Sequence, residues 1–505
     1  MGTRTNQAIK GTLTSLLQYA LQILWQVLLS PIILKMAGKE TLGAYSMVMQ
    51  IVGYRIIMDF GLSVAVNRSM AFYSGKDSPD ALNKAFRAGR MFLVVSNVLA
   101  GSLLIAASFG MTELFSFTTA LSGDVKSSLL LFGVWTLIRG PFCIYESALI
   151  ARQNMSSANI VAIIGNTVRI LLSLFLVFNG WGLKGLIVST VIAEAAGAIL
   201  NRAIYLRSYP SPGGLLEMPG GPIFKEMSAL GIQYWFVNLA YMFFYGNDSL
   251  IAGYLFGAAA AGVYYTTKLP SFFVFQLVFR LSDNSGSAIS ELFAKDNQTR
   301  LREIYLKLLR YSLLAGFPLA VGIIAFNKSI VSLWVGPAQY AGDLMSVGLA
   351  FFAVTQIISH LNAAFMVASG NLARWPGLAV VMGAVGLGLA LLLGKIFGIQ
   401  GVLIGIAAAD FPVFCYLFTK TLALLKVSPQ LVFVESVRSP FYIALLLSFL
   451  GVIPRLFRLD ALFAVVIGVP VVFIVAWFIL LFRIGLHHSE KTEIKALLIR
   501  KLCPH

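Results

Sequence analysis

The chain has 505 residues, of which 58% are hydrophobic and only 12% are charged, whereas soluble proteins have roughly 25% charged residues. With a mean hydropathy of +0.84, this composition excludes an ordinary water-soluble domain and also excludes intrinsic disorder. The net charge of +17 fits a membrane protein better than a nucleic-acid-binding protein, because membrane proteins concentrate Lys and Arg in their cytoplasmic loops. We therefore expect an all-α polytopic membrane protein that binds no nucleic acid.

A helix needs about 20 mostly apolar residues to cross the hydrocarbon core of a bilayer. The sequence contains about fourteen such segments, of which the thirteenth is the shortest. In chain order these predicted spans are 13–35, 41–66, 88–111, 126–150, 156–178, 183–206, 226–250, 258–281, 307–327, 343–368, 374–397, 400–424, 440–454 and 460–483. An even number of spans places both termini on the same side of the membrane.

Lysine and arginine are distributed unevenly between the two sets of loops. Arg68, Lys84, Arg87 and Arg90 follow the second span, whereas the loops on the opposite side hold few basic residues. Because cytoplasmic loops carry the basic excess, this asymmetry predicts that both termini are cytoplasmic. Most of the net charge therefore reports orientation and says little about ligand binding.

A short motif occurs twice in the chain, and other pairs follow it in the same order. The pairs are Gly38, Gly43 and Tyr45 with Gly257, Gly262 and Tyr264; Lys76-Asp77 with Lys295-Asp296; Gly182 and Gly185 with Gly398 and Gly401; and Glu194 with Asp410. This order predicts two six-helix lobes related by a pseudo-two-fold axis, followed by two extra helices. The predicted boundaries are an N-terminal lobe at 1–210, a cytoplasmic linker at 211–225, a C-terminal lobe at 226–425, and the last two helices with a cytoplasmic tail at 426–505.

Polar residues recur at helical spacing on the first two spans of each predicted lobe. One interpretation is hydrogen bonding between packed helices, with Arg55 neutralised by Asp59 one turn away on the same helix. The other is a water-filled cavity, which we favour because the stripes run along much of each helix. The candidate contacts to a polar ligand are Gln18, Gln22, Gln26, Asn238, Tyr241 and Gln276.

Charged residues at membrane depth cost roughly 2.5–3.5 kcal/mol each on insertion scales, so they indicate a function or a buried partner. The candidate cationic cavity consists of Arg55, Arg139, Lys268 and Arg280, a set suited to an anion such as phosphate. The candidate coupling residues are Asp59, Glu146 and Asp248. Arg169, Glu194 and Asp410 are expected on helices at the back of each lobe, where internal structural pairs are the favoured interpretation.

Two segments resemble a known family. Asp59-Phe60-Gly61-Leu62, followed by Ala65 and Arg68, is similar to the end of the second helix in polysaccharide transporters of the multidrug/oligosaccharidyl-lipid/polysaccharide (MOP) superfamily. Asp248, Gly253, Gly257, Gly262 and Tyr264 resemble the same family's junction between helices seven and eight. Within this family, the chain most resembles the Wzx-type flippases of lipid-linked oligosaccharides.

The resemblance implies a V-shaped, two-lobed protein of the bacterial inner membrane that works by alternating access. Its substrate would be an undecaprenyl-pyrophosphate-linked oligosaccharide repeat unit, moved from the cytoplasmic to the periplasmic leaflet. Helices one, two, seven and eight would line the cavity. The implied partners are this lipid-linked glycan, membrane lipids and the polysaccharide polymerase machinery. No cofactor is expected, and H⁺, Na⁺ or the membrane potential would drive transport.

Two other functions are considered beside the flippase. A cation-coupled exporter of drugs or small amphiphiles needs an acidic, aromatic cavity, and the basic excess and the lack of a carboxylate in the first span argue against it. A membrane enzyme acting on lipid-linked sugars needs a large external loop or a clustered acid–His–Arg site, and neither is recognisable. A nucleotide-binding glycine loop is also missing from the sequence, so we expect no direct use of ATP.

Overall fold

The computed structural model describes residues 2–75, 79–115, 117–152, 154–209, 222–370, 374–456, 463–486 and 490–491. Throughout these residues the regular structure is helical, and the predicted all-α fold is confirmed. The helices are α1 (Gly2–Gly53), α2 (Arg55–Met58), α3 (Leu62–Gly75), α4 (Pro79–Leu114), α5 (Thr119–Ala151), α6 (Met155–Phe178), α7 (Gly182–Ser208), α8 (Pro222–Tyr245), α9 (Asp248–Phe256), α10 (Ala258–Ala294), α11 (Gln298–Val335), α12 (Asp343–Ala368), α13 (Trp375–Phe397), α14 (Ile399–Leu425), α15 (Pro429–Val432), α16 (Arg438–Leu456) and α17 (Phe463–Leu480).

Eleven helices among the described residues are long and apolar enough to cross a membrane. One of these segments, Leu17–Met58, contains most of the first predicted span and most of the second, which are separated by the non-helical backbone of Gly38. Helices α8 and α10, which carry the predicted polar stripes of spans seven and eight, are outside the eleven. The predicted number of fourteen is therefore approximate, whereas the multi-pass architecture is confirmed.

The outer surfaces of the helices are apolar, as a lipid environment requires. On α6, for example, Leu171, Phe175 and Phe178 are each at least 60% exposed. Large exposed apolar side chains at helical spacing are unfavourable in water but match the hydrocarbon core of a bilayer. Composition, helix length and surface therefore all indicate a multi-pass membrane protein.

The chain divides into two compact units. The first contains residues 1–265 and 379–402, and the second contains 266–378 and 403–505. The predicted linker lies mostly outside the described residues, as do Lys76, Asp77 and the tail beyond residue 491. The lobe boundaries drawn from the sequence therefore stay a prediction.

The internal repeat is visible in the backbone. Gly38 has φ 85° and ψ 168°, and its counterpart Gly257 has φ 85° and ψ 169°. This left-handed conformation is one that glycine adopts readily and other residues avoid. The second glycine pair behaves in the same way, with φ 47° at Gly182 and φ 70° at Gly398. The repeated glycines thus mark equivalent breaks between helices in the two halves of the sequence.

The apolar core of the first unit determines which faces of α1, α5 and α7 pack against one another. Trp25 and Leu29 of α1, Leu129 and Phe132 of α5, and Leu186 of α7 belong to one buried cluster. One to two helical turns further along the chain, α5 and α7 carry polar side chains on the same faces that hold these apolar residues. The apolar packing of α1, α5 and α7 therefore brings those polar groups together.

Candidate functional site

A stripe of four side chains on α5 forms one wall of the candidate site. Trp135, Arg139, Cys143 and Glu146 follow one another at intervals of four, four and three residues, which keeps them on one face of a helix. All four line the same cavity of the first unit. Arg139 is held along this stripe, because its Nε donates to the Cys143 Sγ at 3.3 Å.

The second cation of the site, Arg55, begins the short helix α2 just after α1 ends. Its Nε donates to the carbonyl oxygen of Val52 at 3.2 Å, and its guanidinium lies 5.6 Å from the centre of the Phe132 ring. These contacts direct the guanidinium toward α5. The break between α1 and α2 thus places a second arginine opposite the Arg139 stripe.

Glu194 of α7 joins the two arginines. Its Oε1 accepts from Arg55 Nη2 at 3.0 Å, and its Oε2 accepts from Arg55 Nη1 at 3.2 Å, a bidentate pair. The same Oε2 accepts from Arg139 Nη1 at 3.1 Å and from Trp135 Nε1 at 2.8 Å. The three charged side chains are 21–29% exposed, so this ion cluster is only partly solvated. We refer to Arg55, Arg139 and Glu194 as the arginine–glutamate cluster.

One cavity next to this cluster, the Arg169 cavity, has a volume of about 420 Å³. Its polar and charged lining is Gln18, Gln22, Arg55, Trp135, Arg139, Cys143, Glu146, Asn166, Arg169, Thr190, Glu194 and Asn201. Arg169 donates from Nη2 to Asn166 Oδ1 at 3.0 Å and lies 5.7 Å from the Trp25 ring centre. Three arginines and two glutamates therefore line one cavity of a size typical of small-ligand sites.

A second cavity, the Asp59 cavity, has a volume of about 480 Å³. Its polar and charged lining is Arg55, Asp59, Ser63, Asn67, Ser96, Asn97, Arg139, Cys143, Glu146, Ser147 and Asn238. Arg55, Arg139 and Glu146 line both cavities, whereas Glu194 lines only the Arg169 cavity. The two arginines therefore lie between two polar cavities of the first unit.

The Asp-Phe-Gly segment at the edge of this site has a structural explanation. Asp59 accepts hydrogen bonds from the Ser63 amide at 3.0 Å and the Ser63 hydroxyl at 3.1 Å, so it satisfies a backbone donor in the first turn of α3. Phe60 lies 5.7 Å from the Trp235 ring. Gly61 has φ 68°, and a Cβ there would stand 2.2 Å from the Gly231 carbonyl oxygen. The segment turns the chain sharply between α2 and α3 against α8.

This arrangement differs from the local pairing considered for Arg55 and Asp59. Arg55 bonds to Glu194, and Asp59 bonds to Ser63. Glu194, expected at the back of the lobe, lies instead at the wall of the cavity that contains Gln18 and Gln22. The formal charges of the Asp59 cavity also balance, because Asp59 and Glu146 oppose its two arginines. The predicted cationic character of the site therefore stays a prediction.

Other predicted site residues of the first unit lie away from these cavities. Asp248 is 3% exposed at the start of α9, where its Oδ1 accepts from Gln50 Nε2 at 2.6 Å and from the Ser249 amide at 2.8 Å. Gln26 gives its backbone carbonyl to Ser30 and is not among the residues that line either cavity. Tyr241 is exposed, and its ring lies 4.6 Å from that of Tyr245. Asp248 therefore stabilises the start of α9 and is not among the residues that line either cavity.

The remaining candidates lie on α10 in the second unit. Lys268 is half-buried with its ammonium 5.6 Å from the Phe272 ring, and Gln276 is half-buried further along the helix. Arg280 is exposed and lies 3.9 Å from Asp283. The predicted cations are thus distributed over both units, with Arg55 and Arg139 in the first and Lys268 and Arg280 in the second.

Trp135 and Glu194 are not among the site residues predicted from the sequence, although Glu194 accepts hydrogen bonds from both Arg139 and Trp135. Trp135 precedes Arg139 by one helical turn, and this is the same spacing that identified the other stripes, so the signal was present. Glu194 is predicted from the sequence as the counterpart of Asp410 and as a member of an internal structural pair, not as a site residue. In the second unit, Asp410 accepts from Gln356 at 2.6 Å, so the equivalent acid has an amide where Glu194 has arginines. This difference between the repeats marks the first unit as the site of the charged cluster.

Comparisons with known proteins agree with this architecture. The family described as polysaccharide biosynthesis protein matches residues 32–340. A search of curated proteins found no match. Among solved structures, the lipid II flippase MurJ in an inward closed conformation has a TM-score of 0.65 at 14% identity and covers 98% of this chain and 99% of that one.

Two other solved structures have the same fold. An inward-facing multidrug resistance transporter of the MATE family has a TM-score of 0.64 at 16% identity, covering 81% of this chain and 96% of that one. A MOP-superfamily transporter from Pyrococcus furiosus, reported with reversed polarity of its binding pocket, has a TM-score of 0.63 at 14% identity, covering 84% and 97%. The chain belongs to the polysaccharide biosynthesis protein family, and its fold is shared with these MATE, MOP-superfamily and MurJ structures.

Proposed function

We propose that this membrane protein is a transporter, a flippase for undecaprenyl-pyrophosphate-linked oligosaccharide repeat units. It moves them from the cytoplasmic to the periplasmic leaflet of a bacterial inner membrane by alternating access, with both of its own termini in the cytoplasm. The family description and the MurJ fold support a role with lipid-linked saccharides. The observation that carries the proposal is the pair Arg55 and Arg139 between two polar cavities.

Each part of such a substrate has suitable groups in the chain. Arginine binds phosphate oxygens in bidentate geometry, so Arg55 and Arg139 suit the diphosphate, and Lys268 and Arg280 add positive charge on α10. Amide side chains such as Asn97, Asn67 and Asn238 suit sugar hydroxyls, and they line the Asp59 cavity. The lipid tail stays in the bilayer, so it needs no polar contact from the protein.

We propose that transport is coupled to H⁺, Na⁺ or the membrane potential, and that the acids lining the two cavities are the coupling residues. Glu146 lines both cavities, and Asp59 lines one of them, so either carboxylate can exchange a cation with the cavity. Asp248 is less suited, because it is buried and accepts from Gln50 and a backbone amide. The polymerase machinery that elongates the glycan is proposed as the downstream partner.

The test uses a strain that lacks the gene and carries it on a plasmid. Arg55→Ala, Arg139→Ala and Lys268→Ala are each expected to accumulate lipid-linked oligosaccharide on the cytoplasmic side and to lose surface glycan. Lys84→Ala is the matched control, since it removes one positive charge from an exposed pair with Asp80. Membrane abundance of every variant is measured on immunoblots.

Normal glycan export by all three variants contradicts the proposed site. Efflux of cationic drugs by purified protein in vesicles, with no change of surface glycan in the deletion strain, contradicts the proposed function and favours a multidrug exporter.

A further inference from the structure

Glu194 occupies the arginine pair in the way that an external anion would. Arg55 supplies two N–H donors to its two oxygens, at 3.0 and 3.2 Å, and Arg139 supplies a third at 3.1 Å. Trp135 adds a fourth donor at 2.8 Å. Bidentate guanidinium contacts of this kind are how arginine recognises both carboxylate and phosphate. A phosphate that uses Arg55 and Arg139 therefore competes with a carboxylate of the chain itself.

The two cavities share the arginine pair but differ in Glu194. Glu194 lines the Arg169 cavity and is not among the residues that line the Asp59 cavity. An anion in the Asp59 cavity therefore reaches Arg55 and Arg139, where it competes with Glu194 for their N–H donors.

The Arg169 cavity offers Glu194 a third arginine besides Arg55 and Arg139. Arg169 uses Nη2 for Asn166 and stacks over Trp25, while its buried Nε has no hydrogen-bond partner among the described residues. Helices α6 and α7, which carry Arg169 and Glu194, pack directly against each other. A carboxylate displaced from the arginine pair thus has another guanidinium facing the same cavity, so its charge need not stay without a partner at membrane depth.

We propose that Glu194 is a displaceable internal counter-ion, which substrate phosphate replaces on Arg55 and Arg139 while the carboxylate moves toward Arg169. This inference rests on the proposed function. It adds that Glu194 limits how tightly the same site binds phosphate. Two arginines without a counter-ion would hold a diphosphate tightly and release it slowly. An internal competitor lowers the apparent affinity, because phosphate can bind only during the fraction of time in which the competitor does not occupy the pair.

The first experiment measures binding of inorganic pyrophosphate by calorimetry to the full-length protein in lipid nanodiscs. Glu194→Gln removes the competing charge, and we expect it to bind pyrophosphate about tenfold more tightly than the native chain. Asp410→Asn is the matched control, because it removes the equivalent buried acid of the second repeat, which accepts from Gln356. The affinity of Asp410→Asn is expected to equal that of the native chain.

The second experiment separates exchange from general electrostatics by a double-mutant cycle. Arg169→Gln takes away the second position of Glu194, so pyrophosphate binding should weaken several-fold in the native background. The same substitution should leave affinity unchanged in a Glu194→Gln background. Equal weakening in both backgrounds shows that Arg169 acts on the anion directly, and this result overturns the exchange.

A third measurement does not depend on the Glu194 variant folding. Because the Trp135 indole donates to Glu194, displacement of the carboxylate changes the surroundings of that indole. Pyrophosphate should therefore change the tryptophan fluorescence of the native chain, and the change should be absent from Trp135→Phe. An identical fluorescence change in both proteins contradicts the displacement.

The outcomes distinguish this inference from the proposed function. If the native chain binds pyrophosphate and Glu194→Gln binds it equally or more weakly, the exchange is overturned and the flippase proposal stands. If neither protein binds pyrophosphate, the phosphate site of the proposed function fails together with the exchange.

Discussion

Gly43 of α1 lies in direct backbone contact with Ala258 at the start of α10, and a Cβ on Gly43 would stand 1.6 Å from the Ala258 carbonyl oxygen. Gly262 makes the counterpart contact, since its Cβ would stand 3.0 Å from the carbonyl oxygen of Lys39. Lys39 and Ala258 each follow the repeated glycines Gly38 and Gly257. The two contacts are therefore one interaction made reciprocally by both repeats, which explains why glycine occurs at both positions.

Gly43→Ala should strongly destabilise the protein, because the backbones of α1 and α10 must separate to accept a methyl group. Overpacking of this kind typically costs about 1–3 kcal/mol, and a backbone clash that side chains cannot relieve belongs at the upper end. Gly110→Ala on α4 is the control, since nothing lies within 4 Å of a Cβ there. Thermal unfolding in detergent should show a lower midpoint for Gly43→Ala alone; equal midpoints contradict the packing argument.

The repeat was predictable because each glycine reports a local requirement of the backbone. Gly38 and Gly257 need the same left-handed conformation, so their spacing alone identifies equivalent helix breaks. The stripes were predictable for a similar reason, since helical spacing fixes which residues share a face. Gln18 and Gln22 line the Arg169 cavity, and Asn238 lines the Asp59 cavity.

The partner of Arg55 was not predictable in this way. Glu194 is separated from Arg55 by 139 residues and from Arg139 by 55. Spacing along one helix identifies a polar face but does not tell which other helix it meets. Asp59, at i+4 from Arg55, was the nearest acid in sequence, yet the turn at Phe60 and Gly61 directs its carboxylate to Ser63. Pairings between distant helices depend on packing, which one sequence does not contain.

Asp59 should contribute to stability through the first turn of α3 whether or not it couples transport. Asp59→Ala leaves the Ser63 amide without its acceptor, and loss of such a contact typically costs about 0.5–2 kcal/mol. Asp59→Asn keeps an acceptor oxygen and should unfold close to the native midpoint. Asp80→Ala serves as control, because this exposed acid lies in the first turn of α4. If Asp59→Ala unfolds like Asp80→Ala, the carboxylate does not support the turn.

Arg55→Lys should reduce glycan export although it preserves the charge. Lysine presents a single ammonium and cannot reproduce the two parallel contacts that Arg55 makes with the carboxylate. We expect export to fall several-fold, with membrane abundance unchanged because Arg139 and Trp135 still hold Glu194. The flux of radiolabelled lipid-linked intermediate is the measurement, and Arg300→Lys in the exposed pair with Glu303 is the control. Native flux in Arg55→Lys shows that bidentate geometry is not required.

The buried ion pair between Glu490 and Arg310 in the second unit should contribute to stability. Glu490 is 6% exposed and contacts Arg310 of α11, which is 4% exposed, and it also accepts from the Tyr311 hydroxyl at 2.6 Å. Glu490→Gln leaves the buried guanidinium without its counter-charge, and breaking such a pair costs about 3–5 kcal/mol. Glu303→Gln, in an exposed pair with Arg300, should cost at most about 1 kcal/mol. Thermal unfolding and trypsin cleavage of the purified protein compare Glu490→Gln with Glu303→Gln. Equal unfolding midpoints contradict a stabilising contact between Glu490 and α11.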